Sequence, residues 1–349
     1  MLASTRCRRT LPPPTPPPAL EPRNSTACPT LHASRGIPNR MRIGHFSDVH
    51  LLSLKGTSWT RFLSKRWIGG LNLLSSRARH HKAEIFDAMV EDFNGARIDH
   101  LVATGDITNV ALESEFAFAR EKFDKIALGS RDVTVIPGNH DAYVEEGREH
   151  FEAIFADYFA SDQEWHSPSE AWPAVRVRGD LAVIGLSTSL QTPWFTCYGV
   201  LGDDQLSRLE AILSDTRLAN KFRLVAIHHP PAGPRAEQKK RGLRDHQEFA
   251  SVIQRAGAEL ILHGHEHEDV DNELAGPTGP IAVRCIQSGT YEAGNHERRA
   301  RYRVYEIGGA DNRPKILGES VRVWRPSDGL FVDDDGHAPP EPAQVAEPA

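Results

Sequence analysis

The feature that most constrains this chain is a series of short apolar runs that close on aspartate, asparagine or histidine. "MRIGHFS" (41–47) leads into "DVH", "HLVAT" (100–104) into "GD", and "VTVIP" (133–137) into "GNHD". "RLVAIHH" (223–229) ends in paired histidines, and "LILHG" (260–264) leads into "HEH". Short runs rich in Val, Ile and Leu read as strands. "LAVIGLS" (181–187), "IAVRCIQS" (281–288) and "YRVYEI" (302–307) read the same way. Helical spacing lies between several of them. Ile85, Phe86, Met89, Val90 and Phe93 form one apolar face, and "DDQLSRLEAIL" (203–213) places acids in a first helical turn, where the helix dipole favours them. The alternation predicts an α/β layered domain with helices covering a sheet. The late strands follow one another with little helix between, which predicts an antiparallel or mixed C-terminal part.

The polar residues at the strand ends carry the chemistry. In "SDVH", Asp48 and His50 are two apart, so extended chain puts both side chains on one face. His265 and His267 in "GHEH" have the same spacing. Each piece alone has an ordinary structural reading, because Asp after a strand is a common turn former or helix cap. A lone histidine there is more often structural than a ligand. The joint pattern is different: five strand ends in succession deliver Asp, Asn or His, and ligands of open α/β sheets gather at the strands' carboxyl ends. Carboxylate, amide oxygen and imidazole together suit Mn, Fe or Zn rather than a thiolate site.

This ordered set, D-x-H, GD, GNHD, H-x-P and GHxH between Asp48 and His267, closely resembles the calcineurin-like metallophosphoesterase superfamily. Its "GNHD" and "HHPP" blocks are most similar to bacterial phosphodiesterases of the cyclic-nucleotide class. The resemblance implies an α/β fold, a four-layer αββα sandwich with mixed sheets, and a binuclear centre of divalent or mixed-valence metals. Asp48, His50 and His267 would bind one metal, Asn139, His228 and His265 the other, and Asp106 would bridge them. His229 would be adjacent only, and His263 a strand-core residue. Two cations about 3.5–4 Å apart polarise a phosphoryl oxygen and lower the pKa of a bridging water, supplying hydroxide near neutral pH. His140, beside a ligand but not one itself in the family, would donate the proton to the leaving alkoxide, with Asp141 orienting its imidazole.

The expected activity is therefore hydrolysis of a phosphodiester or pyrophosphate bond, in the manner of a 3′,5′-cyclic-nucleotide phosphodiesterase. Alternatives are a UDP-2,3-diacylglucosamine pyrophosphohydrolase-like enzyme of lipid A synthesis, a phosphomonoesterase or nuclease, and a non-catalytic metal-binding scaffold. The stretch 51–82 bears on the choice. It holds seven Lys or Arg and no acid, with Trp59, Phe62, Trp67 and Ile68 interleaved. Such a segment packs as an amphipathic insertion on the core, lies on an anionic membrane surface, or covers an acyl chain. The substrate is expected to be a small phosphodiester, a nucleotide or a lipid-linked compound. With a formal net charge of −6, the chain gives no strong nucleic-acid signal.

The ends differ from the middle. Residues 1–40 are rich in Pro and Arg, with Glu21 the only acid, which predicts an extended or disordered leader. An untranslated or unstructured extension before Met41 is the favoured reading over a targeting signal, since there is no apolar run for a secretory segment. Residues 326–349 read as an acidic solvated tail, leaving 41–325 as the folded part. Four scattered cysteines argue against a disulfide framework and for a reducing, cytoplasmic setting, with any contact to the inner membrane made through 51–82. No run approaches the roughly 18 apolar residues of a spanning helix.

Overall fold

The structure is a computed structural model that describes residues 40–54, 81–167, 169–292, 295–309 and 313–334. The expected leader up to residue 39, residues 55–80 of the basic insertion and the tail from 335 lie outside the described residues. All eight expected strands form. In chain order the elements are β1 (Met41–Phe46), α1 (Ala83–Gly95), β2 (His100–Ala103), α2 (Glu113–Phe123), β3 (Val133–Val135), α3 (Glu145–Ile154), α4 (Ala156–Phe159), β4 (Ala174–Arg178) and β5 (Leu181–Gly185). Then follow α5 (Asp203–Leu213), β6 (Phe222–Ala226), α6 (His246–Ala256), β7 (Leu260–His263), β8 (Val270–Gly276), β9 (Gly279–Cys285), β10 (Arg301–Gly308), β11 (Lys315–Arg325) and β12 (Leu330–Asp333).

The strands make two six-stranded sheets, in the orders β12-β11-β10-β1-β2-β3 and β4-β5-β6-β7-β9-β8. Both are mixed. In the first, β1, β2 and β3 run parallel and β10 to β12 antiparallel. In the second, β5, β6, β7 and β9 are parallel, with β4 and β8 antiparallel at the edges.

The period of two along each strand explains the layering. In β5, β6 and β7, Leu181, Val183, Leu224, Ala226, Leu260 and Leu262 point into the core shared with the first sheet. The alternate residues Ala182, Ile184, Val225 and Ile261 face the other way, onto Leu206 and Leu209 of α5 and Phe249 and Val252 of α6. On the outer face of the first sheet, Phe46 meets Phe86 and Phe93 of α1 and Phe123 of α2, with ring centroids 5.2–6.0 Å apart. The order is helix, sheet, sheet, helix. Each fully buried Leu, Val, Ile or Phe contributes about 1.5–3 kcal/mol, so the continuous apolar runs are what bind the two sheets to each other.

One expected boundary is wrong. The fold does not stop at Arg325: Leu330–Asp333 adds an edge strand, with Trp324 opposite Phe331. Phe331 is buried against Tyr302 and Trp324. A three-residue apolar run inside an acidic, proline-rich context was too short to read as a strand. Among the described residues no helix is long and apolar enough to cross a membrane.

Candidate metal centre

The parallel strands of both sheets deliver their carboxyl ends to one place. Asp48 and His50 follow β1, Asp106 follows β2 and Asn139 follows β3; His228 follows β6, and His265 and His267 follow β7. All but His267 are buried. The backbone is forced there. Eight non-glycine described residues have positive φ, and five of them are Asp48, His50, Asp106, His265 and His267, with φ between 45° and 73°. Left-handed backbone at a side chain of this size costs on the order of 1–3 kcal/mol each, so the surrounding packing holds these five in place. The glycines of "GN" and "GH" have a matching cause. A Cβ on Gly138 would lie 2.1 Å from Oδ1 of Asp106, and one on Gly264 would lie 2.0 Å from Oγ of Ser47 and 2.7 Å from Oδ2 of Asp48.

The side chains form two adjoining clusters. In the first, donor atoms of Asp48, His50, Asp106 and His267 all lie within 4.8 Å of one another. Nε2 of His50 is 3.1 Å from Nε2 of His267 and 3.8 Å from Oδ2 of Asp106. Nε2 of His267 is 3.3 Å from Oδ1 of Asp48. In the second, Oδ1 of Asn139 is 3.1 Å from Nε2 of His228 and 2.7 Å from Nδ1 of His265. Oδ1 of Asp106 lies 3.5 Å from Nε2 of His228. Asp106 thus turns one oxygen to each cluster.

The donors fit metal ions. Nδ1 of His50 donates to the carbonyl of Thr108 (3.2 Å) and Nδ1 of His228 to that of Thr104 (2.6 Å). That fixes the tautomers and turns the Nε2 lone pairs inward, the orientation carbonyl partners impose on metal-ligating histidines. Lone pairs of nitrogen and of carboxylate and amide oxygen then face the same spaces, an arrangement that cations satisfy. Oδ1 of Asp48 and Nε2 of His265 are buried with no hydrogen-bond partner. Burial works to raise the Asp48 carboxyl, but the neighbouring His267 and His228 overcome it and hold the group well below the usual carboxylate range. Burial lowers His228, and lowers His265 further still, with His229, His228 and Arg241 adding to the effect. Both imidazoles are thereby kept neutral, the form that binds metal.

The profile of the calcineurin-like phosphoesterase family matches residues 41–269, which include all seven candidate ligands. The chain belongs to this family. A curated relative described as a probable cyclic nucleotide phosphodiesterase, from Synechococcus sp. (strain WH7803), is 36% identical over 74 residues, which is 21% of this chain and 28% of that protein. The chain therefore matches just over a quarter of that relative's length. Among solved structures, a dimetal phosphatase from Danio rerio shares the fold, with a TM-score of 0.54 at 12% identity over 82% of this chain and 99% of that one. A purple acid phosphatase from yellow lupin (Lupinus luteus) seeds does so with a TM-score of 0.52 at 13% identity, over 84% of this chain and 53% of that one. At such identities the likeness is one of fold. Membership of the family supports a hydrolase acting on phosphoester bonds.

Beside the two clusters stands His140 of this phosphoesterase. Its backbone N–H donates to Oδ1 of Asp106 (2.7 Å), and its Nδ1 donates to the carbonyl of Asn109 (2.5 Å). Its ring meets that of His50 edge-on at 4.8 Å and stacks on Tyr143. The expectation that Asp141 orients this imidazole is corrected here. The buried Asp141 carboxylate accepts from the backbone N–H groups of Gly138, Ile107 and Thr108 and from the Thr108 hydroxyl, at 2.8–3.2 Å. It ties the β2 and β3 loops together, and Asn109 does the orienting.

His229 and His263 stay out of the clusters. Nε2 of His229 donates to the carbonyl of Cys197 and its Nδ1 accepts from the Thr188 hydroxyl, so both ring nitrogens are engaged. His263 is buried at the end of β7 and pushed down to about 4 by burial. Two residues were missed by sequence reasoning. Asn109 donates to the carbonyl of His50 as well as holding His140. His81 meets His50 edge-on at 4.8 Å, bonds Thr290 through Nδ1, and has a donor atom within 4.8 Å of those of His50 and His267. The doublet at 80–81 was a signal, masked by the basic run that contains it.

Proposed function

We propose that this protein cleaves a phosphodiester or pyrophosphate bond at two metal ions. Asp48, His50 and His267 would hold one ion, Asn139, His228 and His265 the other, with Asp106 shared. The observation that carries the reading is the Asp106 carboxylate, with Oδ2 turned to His50 and Oδ1 to His228. Two such cations supply Lewis acidity to a phosphoryl group and lower the pKa of bound water. The mixed nitrogen and oxygen donors favour Mn, Fe or Zn.

The chain's own residues supply the rest. The Asn109 carbonyl pins Nδ1 of His140, so Nε2 is the nitrogen that would pass a proton to the leaving oxygen. The name of the Synechococcus relative supports nucleotides, cyclic ones among them, as the substrate class. The lipid-linked alternative rests on residues 55–80, outside the described residues.

Metal analysis of the purified protein, followed by turnover of an aryl phosphodiester, an aryl monoester, cyclic AMP and a UDP-linked sugar with Mn²⁺, tests the reading. Two metals per chain and faster cleavage of diester or pyrophosphate than of monoester are expected. Two bound metals with no phosphate ester hydrolysed would overturn it.

A further inference from the structure

The cations around the candidate centre are unevenly paired. Arg235 reaches Glu268 at 2.6 Å and Glu266 at 3.5 Å. Arg301 meets Asp269, and Arg303 meets Asp271 and Glu319. Arg241 and Arg298 stand apart: neither guanidinium has an ion pair or a side-chain hydrogen bond among the described residues. An unpaired arginine on a surface is ordinary. Here, however, both line one cavity of about 270 Å³, and the same wall carries His265 and His267, one candidate ligand from each cluster. Arg241 also lines an adjoining cavity of about 310 Å³ with Arg235 and His265.

The acids of that cavity do not cancel the two arginines. Glu266 and Glu268 are the acids on its walls, and both face Arg235. The walls carry two arginines and two acids, but both acids are taken up by Arg235 of the adjoining cavity. The acids that border Arg298 on its other side, Asp269, Glu297 and Asp334, form no ion pair with it, so among the described residues Arg241 and Arg298 face the cavity without an acid partner. A guanidinium presents a planar fork of donors that matches phosphate oxygens. A substrate with one charge, such as a cyclic nucleotide, places that charge on the scissile phosphoryl group and has nothing to give a second cationic wall.

We propose that Arg241 and Arg298 form a subsite for a second phosphate of the substrate, which makes the preferred substrate a diphosphate-linked compound. The inference rests on the reading of the centre as a phosphoryl hydrolase and chooses among the bonds that reading allows. The reaction consumes one water. Its oxygen ends on the attacked phosphorus, the bond from that phosphorus to the bridging oxygen breaks, and the bridging oxygen leaves on the second phosphate. The two protons of the water are shared between the two monophosphate products. The arginines would hold the leaving phosphate throughout.

The test uses the full chain loaded with Mn²⁺. Turnover of ADP-ribose, with two charges across a P–O–P link, is compared with that of bis(4-nitrophenyl) phosphate, with one, in the wild type and in Arg241→Ala, Arg298→Ala and Arg241→Lys. Each alanine variant is expected to lose about tenfold or more in kcat/KM on ADP-ribose beyond any loss on the diester, the size of a charge-assisted hydrogen bond, with part recovered in Arg241→Lys. Equal losses on both substrates, or none, would overturn the subsite. Inhibition of diester turnover by α,β-methylene-ADP gives a readout that needs no cleavage of a diphosphate. Its inhibition constant should rise by a similar factor in the alanine variants, and an unchanged constant would also overturn the subsite. A wild type that binds two metals and cleaves neither substrate would instead defeat the hydrolase reading itself.

Discussion

Oδ1 of Asp106 lies 3.5 Å from Nε2 of His228, although Asp106 follows β2 of the first sheet and His228 follows β6 of the second. The contact is one of several polar links at the carboxyl edges of the two sheets, with His228 to Thr104 and Asn139 to His265 among the others, whereas away from that edge apolar side chains fill the space between the sheets. Because the other Asp106 oxygen faces His50 at 3.8 Å, one side chain serves both clusters. Asp106→Asn is therefore expected to lower affinity at both metal sites. His267→Ala, whose ring touches Asp48 and His50 only in the first cluster, should lower one. Metal content per chain after dialysis, by mass spectrometry, distinguishes the two. Loss of a single ion in Asp106→Asn would contradict the shared role.

Nδ1 of His140 is held by a backbone carbonyl, and it is the backbone N–H of His140 that donates to Asp106. Its imidazole can be removed without taking a donor from either cluster. His140→Ala should keep both metals and lose about a hundredfold or more on diesters with poor leaving groups, within the usual range of general acid catalysis. The loss should shrink for 4-nitrophenolate and phosphate-monoester leaving groups, which depart without needing a proton. A loss independent of the leaving group, or metal loss alongside it, would count against proton donation.

Asp141 is pushed up to about 6 by burial, against the pull of its hydrogen bonds from Gly138, Thr108 and Ile107, and so remains ionised at neutral pH. Its four donors belong to the loops that present Asp106 and Asn139. Asp141→Asn sets an amide NH₂ against backbone N–H groups and leaves donors unpaired. The expected cost is about 3 kcal/mol of stability, from one or two lost charge-assisted bonds, measured by urea unfolding. Weaker metal binding at the Asn139 cluster should accompany it. An unaltered unfolding midpoint would show that the carboxylate does not tie these loops.

How much of this was legible in the sequence depended on the kind of interaction. Strands β1, β2, β3, β5, β6, β7, β9 and β10 were legible because their cores are continuous apolar runs. The edge strand β8, "VDNELAG", half exposed along its length, lacks that signal, and so does β12 beyond Pro326. The candidate ligands were legible because Asp, Asn or His recurs at five successive strand ends, although Asp48, His50, His265 and His267 sit beyond the strands in left-handed backbone and not in the extended chain that their spacing suggested. The partner of His140 was not. Asn109 lies 31 residues away, and only the path of the chain between β2 and β3 brings its carbonyl to the ring. Adjacency made Asp141 look like the natural orienter, whereas its side chain turns back into the loops.

Glu115 offers a test that needs no metal. Its Oε2 accepts from the backbone N–H groups of Val110 and Leu112, next to the Asn109 that holds His140. Its Oε1 is buried without a partner. Burial pushes this carboxyl up to about 8 from its ordinary 4.5, despite the bonds from Leu112, Val110 and Asn109 that pull it down. The folded state therefore holds the proton more tightly than the unfolded chain. The stability this confers is complete below pH 4.5, declines as pH rises through the interval, and is gone above about 8. Within that window the decline is up to about 1.4 kcal/mol per pH unit. Glu115→Gln keeps an acceptor for the two N–H groups and cannot titrate. Its stability relative to the wild type should thus climb with pH across the window and level off above it, in urea melts taken at matched ionic strength. Parallel pH profiles for the two proteins would mean that Glu115 is ionised in the folded state throughout.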